Sequence, residues 1–113
     1  MKTQLKKGTL DMCVLAVLAQ ADSYAYELVS KLSQGMDISE GTIYPLMRRL
    51  QNELWVSTYL VESSSGPSRK YYKLTDNGRR ELETMRREWQ EFVAEVENVL
   101  RGGPAAMTEE APQ

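Results

Sequence analysis

The chain has 113 residues, 42% of them hydrophobic and 27% charged, with a formal net charge of −2 and no histidine. That length suits one domain with a modest core, and without histidine neither a His-based triad nor a His–metal site can be built. There is no Gly-rich phosphate loop, and Glu109–Glu110 sit in a tail rather than a cleft, so an enzyme is not expected, nor a cofactor or metal.

Residues 5–20 read as a first helix, with Leu10, Cys13, Val14, Val17 and Leu18 on one face. Met12, Leu15, Ala16 and Ala19 make the other side apolar too. A helix apolar nearly all round needs cover on both sides, and in so short a chain a second subunit is expected to supply part of it. The run MCVLAVLA (12–19) falls well short of the ~20 residues of a membrane span, so no membrane partner is expected. MKTQLKK ahead of it has the outline of a secretory leader, but Asp11 interrupts the apolar run and QADSYAYEL is a poor cleavage site. A single cysteine, Cys13, cannot form an internal disulfide, which fits a reducing cytoplasm; it reads as a small buried hydrophobe.

A break at Gln20–Ser23 leads into a second helix, YAYELVSKLSQG (24–35), with Tyr24, Leu28, Val29 and Leu32 inward and Gly35 placed to end it. After a turn at Met36–Glu40 comes SEGTIYPLMRRL (39–50). Ser39 is one candidate N-cap and Gly41 the other. Pro45 favours the later start, because proline lacks an N–H and is best tolerated near the first turn. This third helix should run to about Asn52, with Ile43, Leu46, Met47 and Leu50 in the core and Thr42, Tyr44, Arg48 and Gln51 facing elsewhere.

WVSTYLVE (55–62) reads as a strand, SSSGPS as a loop and RKYYKLT (69–75) as the return strand of a hairpin. Thr75 can cap a last helix from Asp76 to about Arg101, with Gly78 tolerated in its first turn at about 1 kcal/mol relative to alanine. GGPAAMTEEAPQ (102–113) has no apolar pattern and is expected to be a flexible tail. The expected organisation is a head over 1–75, a long helix over 76–101 and a tail over 102–113.

Three helices followed by a β-hairpin describe a winged helix-turn-helix, mainly α with a small β wing (α+β). In that arrangement the third helix enters the DNA major groove and the wing touches backbone or minor groove. The small residues Ser39, Gly41 and Thr42 allow close approach to phosphate; Tyr44, Arg48 and Arg49 can reach phosphates or base edges. GPSRK gives the wing flexibility and the positive charge of Arg69 and Lys70. Taken singly, two arginines are more often a solvated face, and Tyr44 can equally be a half-buried core residue; order and spacing together point to double-stranded DNA. Charge agrees in sign: residues 1–80 carry 11 Lys/Arg against 8 Asp/Glu, and residues 81–113 carry 3 against 8. The alternative is a winged-helix module that docks a protein partner through the same helix, without specific DNA binding. A steep salt dependence of DNA affinity separates the two.

KGTLDMCVLAVLAQADSYAYEL, SEGTIYPLMRRLQ and GPSRKYYKLTDNGRREL together resemble the PadR family of bacterial transcriptional regulators, in particular its small subfamily with a single C-terminal helix. The resemblance spans about residues 5–100, and GT(I/L)YP…RL with GPxRKYYxLTxxG is a specific combination. It implies a homodimeric winged-helix protein, in most members a repressor, that binds an inverted repeat and is released from DNA by a small molecule. It also implies that Thr42, Tyr44, Arg48, Arg69 and Lys70 occupy DNA-contacting positions. Two departures concern packing and turn geometry: Ala25 stands where the family commonly has Gly, and LWVS (54–57) replaces the usual Gly-Leu-Ile.

The last helix argues independently for dimerisation. Leu82, Met85, Trp89, Phe92, Val96 and Val99 are spaced 3, 4, 3, 4, 3, an unbroken heptad seam. An amphipathic helix folded back on its own head is the alternative. In a two-fold dimer paired Trp89 indoles can sandwich a flat aromatic ligand, with Phe92 and Leu15 expected to line the same slot, or Trp89 simply fills the interface. Some relatives in the resembled family sense aromatic compounds, which implies a similar ligand here.

Overall fold

The computed structural model describes residues 8–102. Its elements are α1 (Leu10–Gln20), β1 (Ser23–Tyr24), α2 (Ala25–Ser33), α3 (Glu40–Asn52), β2 (Val56–Ser63), β3 (Gly66–Leu74) and α4 (Asp76–Leu100). The expected first-helix residues 5–7 and the tail beyond Gly102 lie outside the described residues. The chain divides into two compact units, one ending at Leu82 and the other beginning at Glu83.

The head's core follows the α3 periodicity. Ile43, Leu46, Met47 and Leu50 are all buried, as their helical spacing predicts. Leu28 and Leu32 of α2, Val56 of β2 and Leu74 of β3 are buried in the same head, and α3 packs on α2 and β2. For α1 the expected inward face needs correcting. Leu10, Val14, Leu15 and Leu18 are buried, whereas Cys13 and Val17 are only half-buried along with Met12 and Ala16. Partial burial pushes the Cys13 thiol above its ordinary range, so it is a poor source of thiolate.

The sheet has three strands in the order β1-β3-β2, all antiparallel. β1 is short and lies in the stretch read from sequence as a break and a helix start; it pairs Ser23 with Tyr72 and Tyr24 with Tyr71. The fully buried Ser23 hydroxyl donates to the Ala21 carbonyl at 3.1 Å and accepts from Lys31 Nζ at 3.3 Å. α2 then begins with the Tyr24 N–H donating to Glu27 Oε1 at 3.2 Å, half of a capping box. The hairpin tip also differs from expectation. Ser63 pairs with Gly66, so Ser64 and Ser65 make the turn, and Gly66-Pro67-Ser68 belongs to β3 rather than to a loop. The register slips between Val61 and Ser63, a bulge that accommodates Pro67 where a regular ladder would need its N–H.

Two glycine-related expectations are corrected at the ends of α3 and α4. α3 starts at Glu40 with extended Ser39 as its N-cap, two residues earlier than Pro45 suggested, so Pro45 is the sixth helical residue. The bond it cannot make is to the carbonyl of Gly41, four residues back; Gly41 is exposed, so water can take that place. At the other end the Trp55 N–H donates to Leu50 O at 3.1 Å and the Leu54 N–H to Gln51 O at 3.0 Å, a Schellman closure. Such a closure needs a left-handed residue, and Leu54 supplies it with φ of 64° where glycine has no steric penalty. Leu54→Gly is therefore expected to raise stability by about 1 kcal/mol. Relief of a left-handed cost of about 1–2 kcal/mol outweighs the extra unfolded-chain entropy of about 0.4–1 kcal/mol. A higher urea midpoint at unchanged slope is the expected reading, and a lower midpoint would refute it.

That corner is bolted to α4. The Thr75 hydroxyl donates to Leu54 O at 2.7 Å and accepts from the Gly78 N–H at 3.0 Å, the expected N-cap, while the Thr75 N–H donates to Trp55 O at 3.0 Å. A Cβ on Gly78 would lie 2.1 Å from Trp55 O and 2.6 Å from Leu74 Cδ1. Gly78 is thus not merely tolerated, as its helical position suggested; nothing larger fits.

Candidate nucleic-acid interface

On α3 the four core residues leave the opposite face to Gly41, Tyr44, Pro45, Arg48 and Asn52, all exposed. Tyr44 and Arg48, four residues apart, lie beside Tyr72 of β3. Burial, then the neighbouring Tyr44 phenol, pushes Tyr72 above its ordinary range, and the Arg48 guanidinium pulls the other way. Lys70 places its Nζ 5.6 Å from the Tyr72 ring centroid. Groove-helix and wing candidates therefore come near one tyrosine, with Tyr44 and Arg48 of α3 and Lys70 of β3 all neighbouring Tyr72. Thr42 is exposed near the start of α3, its Oγ1 3.2 Å from Ser39 Oγ.

Arg69 is not on the Tyr72 side of the sheet. Neighbouring residues of a strand point to opposite sides of the sheet, and Arg69 sits 4.8 Å over the Tyr24 ring on the outer side. There Tyr24, Tyr71 and Tyr59 are cross-strand neighbours, with Tyr24 edge-on to Tyr71 at 5.4 Å and Tyr59 stacked on Tyr71 at 5.6 Å. The Tyr59 hydroxyl donates to Asp22 Oδ2 at 2.7 Å, which pushes the phenol up to about 12. This ladder stiffens the base of the wing.

Arg49 also departs from its neighbour. Its guanidinium grips Asp11 of α1 with both carboxylate oxygens engaged, Nη1–Oδ2 at 2.6 Å and Nη2–Oδ1 at 2.8 Å. The expected set thus divides into Tyr44, Arg48 and Lys70 together, Thr42 near the helix start, Arg49 held at the flank by α1 and Arg69 behind the wing. Asp11, Tyr24 and Tyr72 are site-shaping residues that sequence reasoning missed, because each acts through a partner far along the chain.

The residues expected to dimerise or bind ligand are described within their own units. In the head, Leu82 is buried and Leu15 has no exposed surface, so Leu15 is a core residue and not the pocket-lining one its helix position suggested. In the second unit Trp89, Phe92, Val96 and Val99 are exposed and Met85 is half-buried. Among the described residues, no helix is long and apolar enough to cross a membrane.

The model of the PadR-like family of transcriptional regulators matches residues 14–84. A PadR-like transcriptional regulator from Bacillus cereus is 42% identical, with a TM-score of 0.78 over 88% of this chain and 98% of its own. A PadR-family regulator from Eggerthella lenta is 36% identical, with a TM-score of 0.83 over 91% of each chain. Bacillus subtilis PadR, solved in complex with operator DNA, is 25% identical, with a TM-score of 0.61 over 67% of this chain and 45% of its own.

Proposed function

The chain belongs to the PadR-like family of transcriptional regulators, and from that premise we propose that it is a homodimeric repressor that binds an inverted repeat in DNA. It is a regulator and not an enzyme. The observation that carries the DNA reading is the convergence of Tyr44, Arg48 and Lys70 on Tyr72, which joins groove helix and wing in one surface. Arg48 is long enough to reach a guanine edge, Tyr44 a phosphate or thymine methyl, and Lys70 the backbone beside the groove. Thr42 joins them at the helix start, and Arg69 meets the backbone from the far side of the wing. The operator complex of the Bacillus subtilis relative supports this reading. A protein acting on chromosomal DNA works in the cytoplasm, which agrees with the lone Cys13.

The exposed seam Trp89–Phe92–Val96–Val99 supports pairing of two α4 helices. A two-fold dimer sets its two groove helices about one DNA turn (~34 Å) apart. Trp89 and Phe92, without Leu15, are the residues left to meet a flat aromatic inducer between the paired helices. Quenching or shift of tryptophan fluorescence on titrating aromatic compounds, coupled to DNA release, tests that part. Trp55 also fluoresces, so the titration is repeated in Trp55→Phe to isolate the Trp89 signal.

Selection from a random duplex pool tests the whole reading. The expected product is a two-fold symmetric consensus; an asymmetric single site would remove the dimer, and no enrichment would remove specific DNA binding. The two wing cations give a sharper test. Lys70→Ala is expected to flatten the log–log salt slope by about 0.9 per protomer, and Arg69→Ala by less, because Arg69 lies on the outer side of the sheet, away from the face that Lys70 shares with α3. Equal losses from both would place the DNA backbone symmetrically about the wing tip instead.

A further inference from the structure

We propose that Asp11 is an electrostatic gate on DNA affinity, holding Arg49 as a neutral pair and so keeping its guanidinium from a DNA phosphate. The proposal rests on the DNA reading above and assigns a role within it to a residue of α1.

The geometry is specific. Asp11 lies in the first turn of α1 and Arg49 in the last turn of α3, and both carboxylate oxygens are engaged, at 2.6 and 2.8 Å. The Asp11 side chain is only 16% exposed whereas that of Arg49 is 53% exposed, so the acid is fixed and the base sits at the rim. Arg49 falls seven residues after Thr42, on the same face of α3. Thr42, Pro45, Leu46 and Arg49 line an open cleft with Leu10 and Asp11. The pair therefore borders the residues proposed to approach DNA.

Affinity for a polyanion counts cations whose charge is not already cancelled. A guanidinium gripped by a carboxylate adds little to sequence-independent attraction, and to reach a phosphate it must abandon a bidentate bond. Phosphate and Asp11 compete for the same fork. The gate lowers binding to any duplex, and so leaves discrimination to the base-reading face around Arg48. A purely structural staple between α1 and α3 would affect unfolding but not the salt dependence of DNA binding.

The test compares the unaltered full chain, Asp11→Asn and Asp11→Asn/Arg49→Gln on a non-specific duplex over a range of salt. Asparagine keeps the shape and one acceptor while removing the charge. Asp11→Asn is expected to bind more tightly, with a slope steeper by about 0.9 per protomer, so its advantage grows about threefold per protomer between roughly 200 and 50 mM salt. Adding Arg49→Gln is expected to abolish the gain. Asp11→Ser serves as the second charge-free variant if Asp11→Asn does not fold. Unchanged slope, weaker binding, or a gain that survives Arg49→Gln would each overturn the gate. If the unaltered protein shows no salt-dependent binding to any duplex, the DNA reading itself falls and takes the gate with it.

Discussion

Replacing Gly78 by alanine is expected to destabilise the head by about 2–3 kcal/mol, although alanine is the better helix former by about 1 kcal/mol. The reason is position, not propensity. The new methyl would sit 2.1 Å from the Trp55 carbonyl oxygen and 2.6 Å from Leu74 Cδ1. The side chain can move, but the carbonyl cannot do so freely. It accepts the Thr75 N–H at 3.0 Å, next to Leu54, whose own carbonyl accepts the Thr75 hydroxyl. Relieving the clash means pulling the start of α4 off the corner that closes α3. For a domain of this size each kcal/mol moves the melting temperature by about 4–8 °C, so a fall of roughly 10–20 °C is expected in a thermal unfolding scan. Gly41→Ala is the control. It is also helical, but its added methyl meets nothing within 4 Å, and it should leave stability unchanged or raise it by up to about 1 kcal/mol. If both substitutions stabilise, the close approach at Gly78 is not real.

The contrast between those two glycines illustrates what the chain discloses about itself and what it conceals. The α3 core was legible because Ile43, Leu46, Met47 and Leu50 carry a strong helical period against polar neighbours. α1 was harder. A helix apolar nearly all round has no phase to read: the spacing puts Leu15 on the side away from Val14 and Leu18, yet all three are buried. β1 exists because Ser23 and Tyr24 pair with Tyr72 and Tyr71, nearly fifty residues on, and two residues have no period of their own. At the wing, Gly-Pro suggested a loop by local chemistry, yet the turn is at Ser64–Ser65 and Pro67 is taken up by a bulge. The site divides along the same line. Residue types and order single out Tyr44, Arg48 and Lys70 as candidates, and the fold brings these three near Tyr72. That Arg49 and Arg69 are held elsewhere depends on Asp11 and Tyr24, whose proximity arises only in the folded head.

Phe92→Glu is expected to raise the dissociation constant of the proposed dimer at least 100-fold. The α4 helix has 25 residues, about 37 Å, of which only Gly78 and Leu82 are buried. Beyond them Trp89, Phe92, Val96, Val99 and Leu100 are exposed, Phe92 by 57%. Burying a phenylalanine contributes about 1.5–3 kcal/mol, and a two-fold interface loses the contribution on both sides. The glutamate adds two carboxylates to an apolar seam, so a loss of at least about 3 kcal/mol, or 100-fold, follows. Glutamate is a good helix former, so far-ultraviolet circular dichroism should not change, and Glu91→Ala on the polar side should leave association as it is. Sedimentation equilibrium reads the dimer directly; an unaltered constant for Phe92→Glu would take this seam out of the interface. DNA binding supplies the second reading. Two joined heads engage an inverted repeat with an effective concentration that separate heads lack, an advantage of about 10²–10⁴ in affinity. Phe92→Glu should therefore weaken operator binding by a similar factor while a single half-site is bound as before. In the proposed dimer a substitution that touches no DNA would then control recognition of the whole operator, because pairing of α4 would determine whether two heads bind as one.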